Sequence, residues 1–276
     1  MRKKTIIITG ASDGIGAASA RQLTAQGERV VLIGRNRERT AALARELGTP
    51  HHLADFSELA EVRRLAAELR EAYPQIDVLA NNAGGIMGER QMTEDGFEKT
   101  FQVNHLAPFL LTSLLLPTLL ESRARVIQTA SIAAKRYGRL DLTDLQNEQH
   151  YSANRAYGNA KLANILFTNE LQRRYGPQGI CAVSFHPGNV ATSFASETNS
   201  FFRFIYHTPL KNLILVPPEK GGAYLTWLIQ GTPGVTWVPG GYYENNKLAF
   251  KKSTPQATDV ELAKGLWEQS ARLLKL

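Results

Sequence analysis

Residues 5–16, Thr-Ile-Ile-Ile-Thr-Gly-Ala-Ser-Asp-Gly-Ile-Gly, leave this chain few folds to choose from. Thr5 to Thr9 reads as a short buried strand. Glycines follow at positions 10, 14 and 16, and Ala17 to Ala25 is compatible with a helix. A strand, a glycine-rich turn and a helix in that order form an anion site. Glycines let the backbone approach a pyrophosphate, and the helix N-terminus favours its charge. The spacing is Gly-x3-Gly-x-Gly, not the Gly-x-Gly-x-x-Gly of the general dinucleotide fingerprint. Three glycines can also make only a tight turn, but the flanking strand and helix favour the phosphate reading. Its candidate residues are Gly10, Ser12, Asp13, Gly14, Ile15 and Gly16.

The rest of the chain repeats the alternation. A second strand, Arg29 to Ile33, ends in Gly34-Arg35-Asn36-Arg37, with no acid before Glu38. In dinucleotide folds an acid near this point holds the ribose 2′-hydroxyl of NAD, whereas an arginine suits the 2′-phosphate of NADP, so Arg35 points to NADP(H) over NAD(H). His51 to Leu53 reads as a third strand, ending at Asp55-Phe56. Ser57 is expected to cap a helix running through Tyr73. Asp55 either caps that helix or meets an adenine amino group. Ile76 to Ala80 is a fourth strand, and Asn82, Ala83 and Gly84 after it suit a crevice where a ligand lies on the backbone. Gly96 to Leu120 reads as a helix with Asn104 in its interior, where an amide wants partners.

A fifth strand, Arg125 to Ala130, delivers Ser131 and leads into a long polar link. The helix Arg155 to Arg174 carries Tyr157 and Lys161 on one face. A neighbouring ammonium favours the charged form of a phenol and lowers its pKa. Ile180 to Phe185 forms a sixth strand that stops at His186, followed by Pro187, Gly188, Val190 and Thr192. Pro218 to Ile229 reads as a helix, Gly240 to Tyr243 enters a last short strand, and Val260 to Leu274 forms a final helix. The expectation is an α/β chain over residues 1–276: a single-domain Rossmann fold, doubly wound, with a mainly parallel sheet and helices on both faces.

Composition narrows the function. With 276 residues, 43% hydrophobic and 21% charged, the chain can bury a full core. Its net charge is +7, but basic and acidic residues are interspersed, which argues against nucleic acid. Six histidines at no zinc-like spacing argue against a metal. The lone Cys181 fits a reducing compartment, and the short apolar part of the N-terminus does not resemble a leader, so a cytoplasmic protein is expected. The longest charge-free apolar run, His105 to Leu120, contains two prolines and falls short of the ~20 residues of a spanning helix. Residues 193–216 are dense in aromatic and aliphatic side chains. They read as a lid over an apolar substrate, a membrane-touching flap without an anchor, or ordinary packing. The helices 105–120 and 157–174 carry more apolar surface than one sheet face covers, which suggests a homodimer or homotetramer.

Taken together, Thr9-Gly10-x3-Gly14-x-Gly16, Asn81-Asn82-Ala83-Gly84, Asn104, Ser131, Tyr157-x3-Lys161 and Pro187-Gly188 resemble the short-chain dehydrogenase/reductase family, in the family's own order. Asp95-Gly-Phe-Glu, Val103-Asn-His-Leu with Phe109-Leu-Leu-Thr, and Lys161-Leu-Ala-Asn-Ile-Leu-Phe are similar to its retinol dehydrogenase-like branch. The resemblance implies an oxidoreductase acting on CH–OH and C=O groups of a small apolar ketone, aldehyde or alcohol. It implies Tyr157 as general acid and base, Lys161 lowering its pKa and binding the nicotinamide ribose, and Ser131 holding the carbonyl oxygen. Asn104 would position a water, Asp55 face the adenine, Pro187 lie beside the nicotinamide and Thr192 bind the carboxamide. Asp13 and Pro108 depart from the pattern: the first opposes an NADP phosphate, the second predicts a kink after Asn104. A non-catalytic NADP(H) sensor is the alternative, and the presence of Ser131, Tyr157 and Lys161 speaks against it.

Overall fold

The computed structural model describes residues 3–188, 217–249 and 255–276. The lid expected at 193–216, Val190 and Thr192 lie outside the described residues. In chain order the elements are β1 (Thr5–Thr9), α1 (Gly14–Ala25), β2 (Arg29–Gly34), α2 (Arg37–Leu47), β3 (His51–Leu53), α3 (Leu59–Ala72), β4 (Val78–Asn81), α4 (Lys99–Phe101), a π turn (Gln102–Leu106), α5 (Ala107–Glu121), β5 (Arg125–Thr129), α6 (Ala133–Tyr137), α7 (Ala153–Tyr175), β6 (Cys181–His186), α8 (Pro218–Gln230), β7 (Tyr242–Glu244), β8 (Lys247–Leu248) and α9 (Val260–Leu273).

The strands form one eight-stranded sheet in the order β3-β2-β1-β4-β5-β6-β7-β8. Every pairing is parallel except β7–β8, a hairpin whose Asn245 and Asn246 have φ of 50° and 59°. Asparagine tolerates that left-handed backbone, and two such residues match the twist of a two-residue hairpin. The strand order reverses between β1 and β4, which opens a crevice beyond the carboxyl ends of the strands. Alternation along β1 sends Ile6 and Ile8 to the α1/α8 side and Ile7 to the α3/α5/α7 side. On the first side α8 packs so closely on α1 that a Cβ at Gly222 would come within 2.6 Å of the Ala18 Cβ, and Ser19 bonds Thr226 at 3.0 Å.

On the second side α9 lies across α5 and α7. The Trp267 ring sits 4.9 Å from Phe109 and 5.6 Å from Phe167, with Arg174 5.0 Å above it. The apolar surplus that suggested a homodimer or homotetramer is thus partly covered by the chain's own last helix. Light scattering at micromolar concentration tests the homodimer or homotetramer that the remaining apolar surface suggests: a multiple of the one-copy mass of 30.5 kDa is expected, and the mass of one copy would refute it.

Local details differ from the sequence reading for physical reasons. Ser57 does not cap α3; its N–H and hydroxyl both bond Asp55 Oδ1, and the first helical N–H, of Leu59, is taken by Asp95 Oδ2 at 2.9 Å. The helix expected from Gly96 begins instead at Lys99. Glu98 caps it, its carboxylate accepting from the N–H groups of Thr100 and Phe101 at 2.8 Å each. Burial raises the pKa of that carboxyl and the two N–H groups oppose the rise. The kink expected near Pro108 is a π turn: the Ala107 N–H reaches back five residues to the Gln102 carbonyl. Pro108 supplies no N–H to the Asn104 carbonyl four residues before it. Lys99–Glu121 is long and apolar enough by length and composition to cross a membrane, beyond the 105–120 estimate. Here Leu106, Phe109, Leu110, Leu115 and Leu119 of that stretch are core residues, at most 1% exposed. The polar link after Ser131 contains α6.

Candidate active site

The crevice begins at the turn after β1. Asp13 caps α1, its carboxylate accepting from the Gly14 N–H at 2.7 Å. Gly16 admits no side chain, because a Cβ there would run into the Gly10 carbonyl. A cavity of about 210 Å³ opens at this helix end, lined by Ser12, Asp13, Gly14, Arg21 and Glu219 among others. Gly14 and Gly16 are buried and Ile15 half-buried, so the turn presents chiefly backbone. A cradle that only glycine can line, at a helix N-terminus, fits a diphosphate.

Thr9 ties this turn to the next strand. Its hydroxyl oxygen accepts from the N–H groups of Asn82 (3.0 Å) and Ala83 (2.9 Å), and Asn82 Nδ2 donates back to the Thr9 carbonyl at 3.0 Å. Thr129 Oγ1 donates to Asn82 Oδ1 at 3.2 Å, so the ends of β1, β4 and β5 are laced together. Thr9 entered the sequence reading only as part of a motif. A hydroxyl at a strand end, just before the glycine turn, was the available signal.

At the end of β2, Arg35 is exposed and its Nη1 lies 3.9 Å from Asp55 Oδ2. Asp13, exposed to solvent, has Arg39 Nη1 at 3.6 Å from its carboxylate. Arg39 was missed because only the start of α2, capped by the Asn36 side chain, turns it towards Asp13. Asp55 caps no helix; its other oxygen holds Ser57. The Phe56 side chain is buried in the core, so only its backbone can meet a ligand.

Four residues converge where β4, β5 and α7 meet. Tyr157 and Lys161, on successive turns of α7, are 6% and 2% exposed. Tyr157 packs with Ile86 and Ala133, and Lys161 Nζ stands 5.5 Å from the centre of its ring. That nitrogen donates to the Thr129 carbonyl at 3.0 Å. Burial lowers the lysine pKa to about 7. Ser131 follows two residues after Thr129, and its Oγ accepts from the Ala133 N–H at 3.1 Å, which leaves the hydroxyl proton to donate. Asn104 is fully buried: Nδ2 donates to the Gly85 and Thr100 carbonyls at 2.8 and 2.9 Å, and Oδ1 accepts from the Gly85 N–H at 3.1 Å. Its side chain therefore holds the 84–85 loop. Gly84 is required by close approach, since a Cβ there would strike Asn104 Oδ1 and come within 3.1 Å of Lys161 Nζ.

Pro187 and Gly188 leave β6 at the same edge. Beside them the His186 pKa is lowered to about 4 by burial and by Arg136, and burial with Glu244 nearby pushes the Tyr242 hydroxyl far up. A buried phenol beside a buried amine, with a serine hydroxyl two residues beyond the carbonyl that anchors the amine, is a set of groups that can deliver or accept a proton at a carbonyl or alcohol oxygen.

A family model described as short chain dehydrogenase matches residues 4–201. The Streptomyces sp. (strain C5) protein named "Putative daunorubicin C-13 ketoreductase DnrU" is 44% identical over 97% of this chain and 91% of its own length. Human retinol dehydrogenase 13 is 36% identical over 99% of this chain and 85% of its length. Among solved structures, a Pseudomonas aeruginosa RhlG/NADP active-site complex superposes with a TM-score of 0.70 at 28% identity, covering 87% of this chain and 94% of that one. With the site's geometry and these matches, this chain belongs to the short-chain dehydrogenase/reductase family, in its retinol dehydrogenase-like branch.

Proposed function

We propose that this protein is an NADP(H)-dependent oxidoreductase that interconverts an apolar ketone or aldehyde and its alcohol, with Tyr157 as general acid and base. The observation that carries the reading is the packing of Lys161 against Tyr157 at the crevice, its Nζ anchored on the carbonyl of the strand that delivers Ser131. The glycine turn 10–16, Arg35, Asp55 and the Asn82–Gly84 loop would hold the cofactor, with Lys161 at its nicotinamide ribose. When bound, the nicotinamide supplies or takes the hydride. In reduction, negative charge grows on the carbonyl oxygen; the Tyr157 proton and the Ser131 hydroxyl stabilise it there. In oxidation Tyr157 takes the proton back. Asn104 would position a water that carries protons to Lys161.

The apolar substrate class is supported by the names of the relatives, a ketoreductase and a retinol dehydrogenase. A cytoplasmic setting is supported by the lone cysteine, Cys181, which fits a reducing compartment. Screening ketones and aldehydes with NADPH and with NADH, read by nicotinamide absorbance, tests the reading. No oxidation of either cofactor with any carbonyl would overturn it.

Cofactor choice gives a sharper expectation. Arg35 offers an exposed guanidinium at the end of β2, while Arg39 partly neutralises Asp13, the acid that would repel a 2′-phosphate. NADPH is expected to bind about 10–100-fold more tightly than NADH, the range of one charge-assisted contact. Arg35→Ala should remove most of that preference and leave NADH binding nearly unchanged. Equal affinities for the unmodified protein, measured by titration, would show that Asp13 dominates.

A further inference from the structure

Lys161 does not have the Thr129 carbonyl to itself. Asn164, one turn along α7, brings Nδ2 to 3.4 Å from the same oxygen, against 3.0 Å for Lys161 Nζ. A carbonyl oxygen only accepts, so the amide must turn its NH2 towards Thr129 and Oδ1 the other way. Oδ1 is buried beside the His105 imidazole, whose own Nδ1 is also buried. Asn164 favours a proton on the ring, and among the described residues neither its Oδ1 nor the ring Nδ1 has another hydrogen-bond partner. Nε2 of His105 lies 2.9 Å from the Ser270 hydroxyl of α9. Burial lowers the imidazole pKa to about 3, so the ring is neutral and carries one proton. One arrangement serves every group: Nδ1–H points at Asn164 Oδ1, and Nε2 accepts from Ser270. All four side chains, of Lys161, Asn164, His105 and Ser270, are 2% exposed or less.

We infer that Asn164 is a positioning residue for Lys161, occupying one lone pair of the Thr129 carbonyl and confining the amine to the other, while Ser270 and His105 fix the amide in the orientation that does so. The inference rests on the reading of Tyr157 and Lys161 as the catalytic pair. Two donors on one oxygen repel each other, so the Asn164 amide weakens the hold of Lys161 on its proton. The pair is faced from β5 by the Thr129 carbonyl and from the π turn by Asn104 and His105. On its other side Lys161 has the Tyr157 ring, which Tyr242 of β7 approaches with Glu244 beside it. His105 is neutral and Tyr242 protonated at neutral pH; the substitutions that follow replace neither residue and reach only His105, through its Ser270 and Asn164 neighbours.

The test is an NMR titration of the free protein labelled with ε-carbon-13 lysine, the Lys161 resonance being the one lost in Lys161→Met. Asn164→Leu keeps the volume and removes the second donor. The Lys161 midpoint should rise by about 0.5–1 pH unit, the shift one neutral hydrogen bond produces. Ser270→Ala should raise it less, Ser270→Thr should restore it, and Ser270→Ala should add nothing once Asn164 is Leu. An unchanged or lowered midpoint in Asn164→Leu overturns the inference, as does an additive effect of the two substitutions. Should Asn164→Leu fail to fold, Ser270→Ala against Ser270→Thr carries the same test: a raised midpoint restored by threonine supports it, and no shift overturns it. Because the midpoint is read without cofactor or substrate, a protein that reduces no carbonyl would sink the functional reading while the titration still decides the network.

Discussion

Replacing Tyr157 by Phe should lower turnover about 10²–10⁴-fold, the range for a positioned general acid–base group. The substitution is narrow. The ring stays in place against Ile86 and Ala133, and the Lys161 amine keeps its stand 5.5 Å from the ring centre. Packing is preserved, so the melting temperature should hardly move. NADPH should still bind, because the glycine turn and Arg35 are untouched. Only the hydroxyl proton is lost, and the Ser131 hydroxyl, committed to the oxygen it would hold, does not replace it. Steady-state assays beside cofactor titration separate the two effects; turnover near that of the unmodified enzyme would exclude Tyr157 as the acid.

Lys161→Met should abolish most activity and, against intuition, stabilise the fold. The amine is 2% exposed, with the Thr129 carbonyl as its hydrogen-bond acceptor. Burial lowers its pKa from 10.5 to about 7, so the folded state resists protonation that the unfolded chain accepts freely. Between these values the unfolded chain binds more protons, and the stability of the unmodified protein must rise with pH across that window. Below pH 7 the cost of the buried charge is fully present. At 1.36 kcal/mol per pKa unit it is of the order of 5 kcal/mol, an upper limit because buried sites relax and admit water. Met fills a similar volume with no charge. The melting temperature of Lys161→Met should therefore exceed that of the parent by several degrees near pH 6, at roughly 2–4 °C per kcal/mol. The gap should close as pH approaches 10. A less stable variant at pH 6, or a gap that does not change with pH, would show that the amine is well compensated where it lies.

The parts of this site that were legible in the sequence are those whose physics is local. Gly10 follows a strand and Gly14 and Gly16 open the next helix, and a turn of that kind needs glycine. Tyr157 and Lys161 sit one helical turn apart, so their common face follows from spacing alone. What escaped depends on contacts between distant segments. Asp95 caps α3 from 36 residues away, which left Ser57 as the natural but wrong choice. Arg39 meets Asp13 only once α2 is laid against the turn. The π turn at 102–106 is invisible to a 3.6-residue pattern, although Pro108 marked the place. An apolar surplus on α5 and α7 reads the same whether another copy or the chain's own α9 covers it; the Trp267 contacts show that α9 covers part of it. Asn245-Asn246 did carry a hairpin signal, but β8, at two residues, is too short to show a pattern.

The most direct measurement is to follow the hydride itself. The protein is incubated with NADPH carrying deuterium at both C4 positions of the nicotinamide and a panel of apolar ketones and aldehydes, and the alcohols are weighed by mass spectrometry. An alcohol bearing one deuterium on the former carbonyl carbon is expected, formed by the unmodified protein and at least about a hundredfold more slowly by Tyr157→Phe. Alcohol without deuterium, formation at equal rates by both proteins, or no alcohol from any carbonyl compound would contradict the assignment of this crevice to carbonyl reduction through Tyr157.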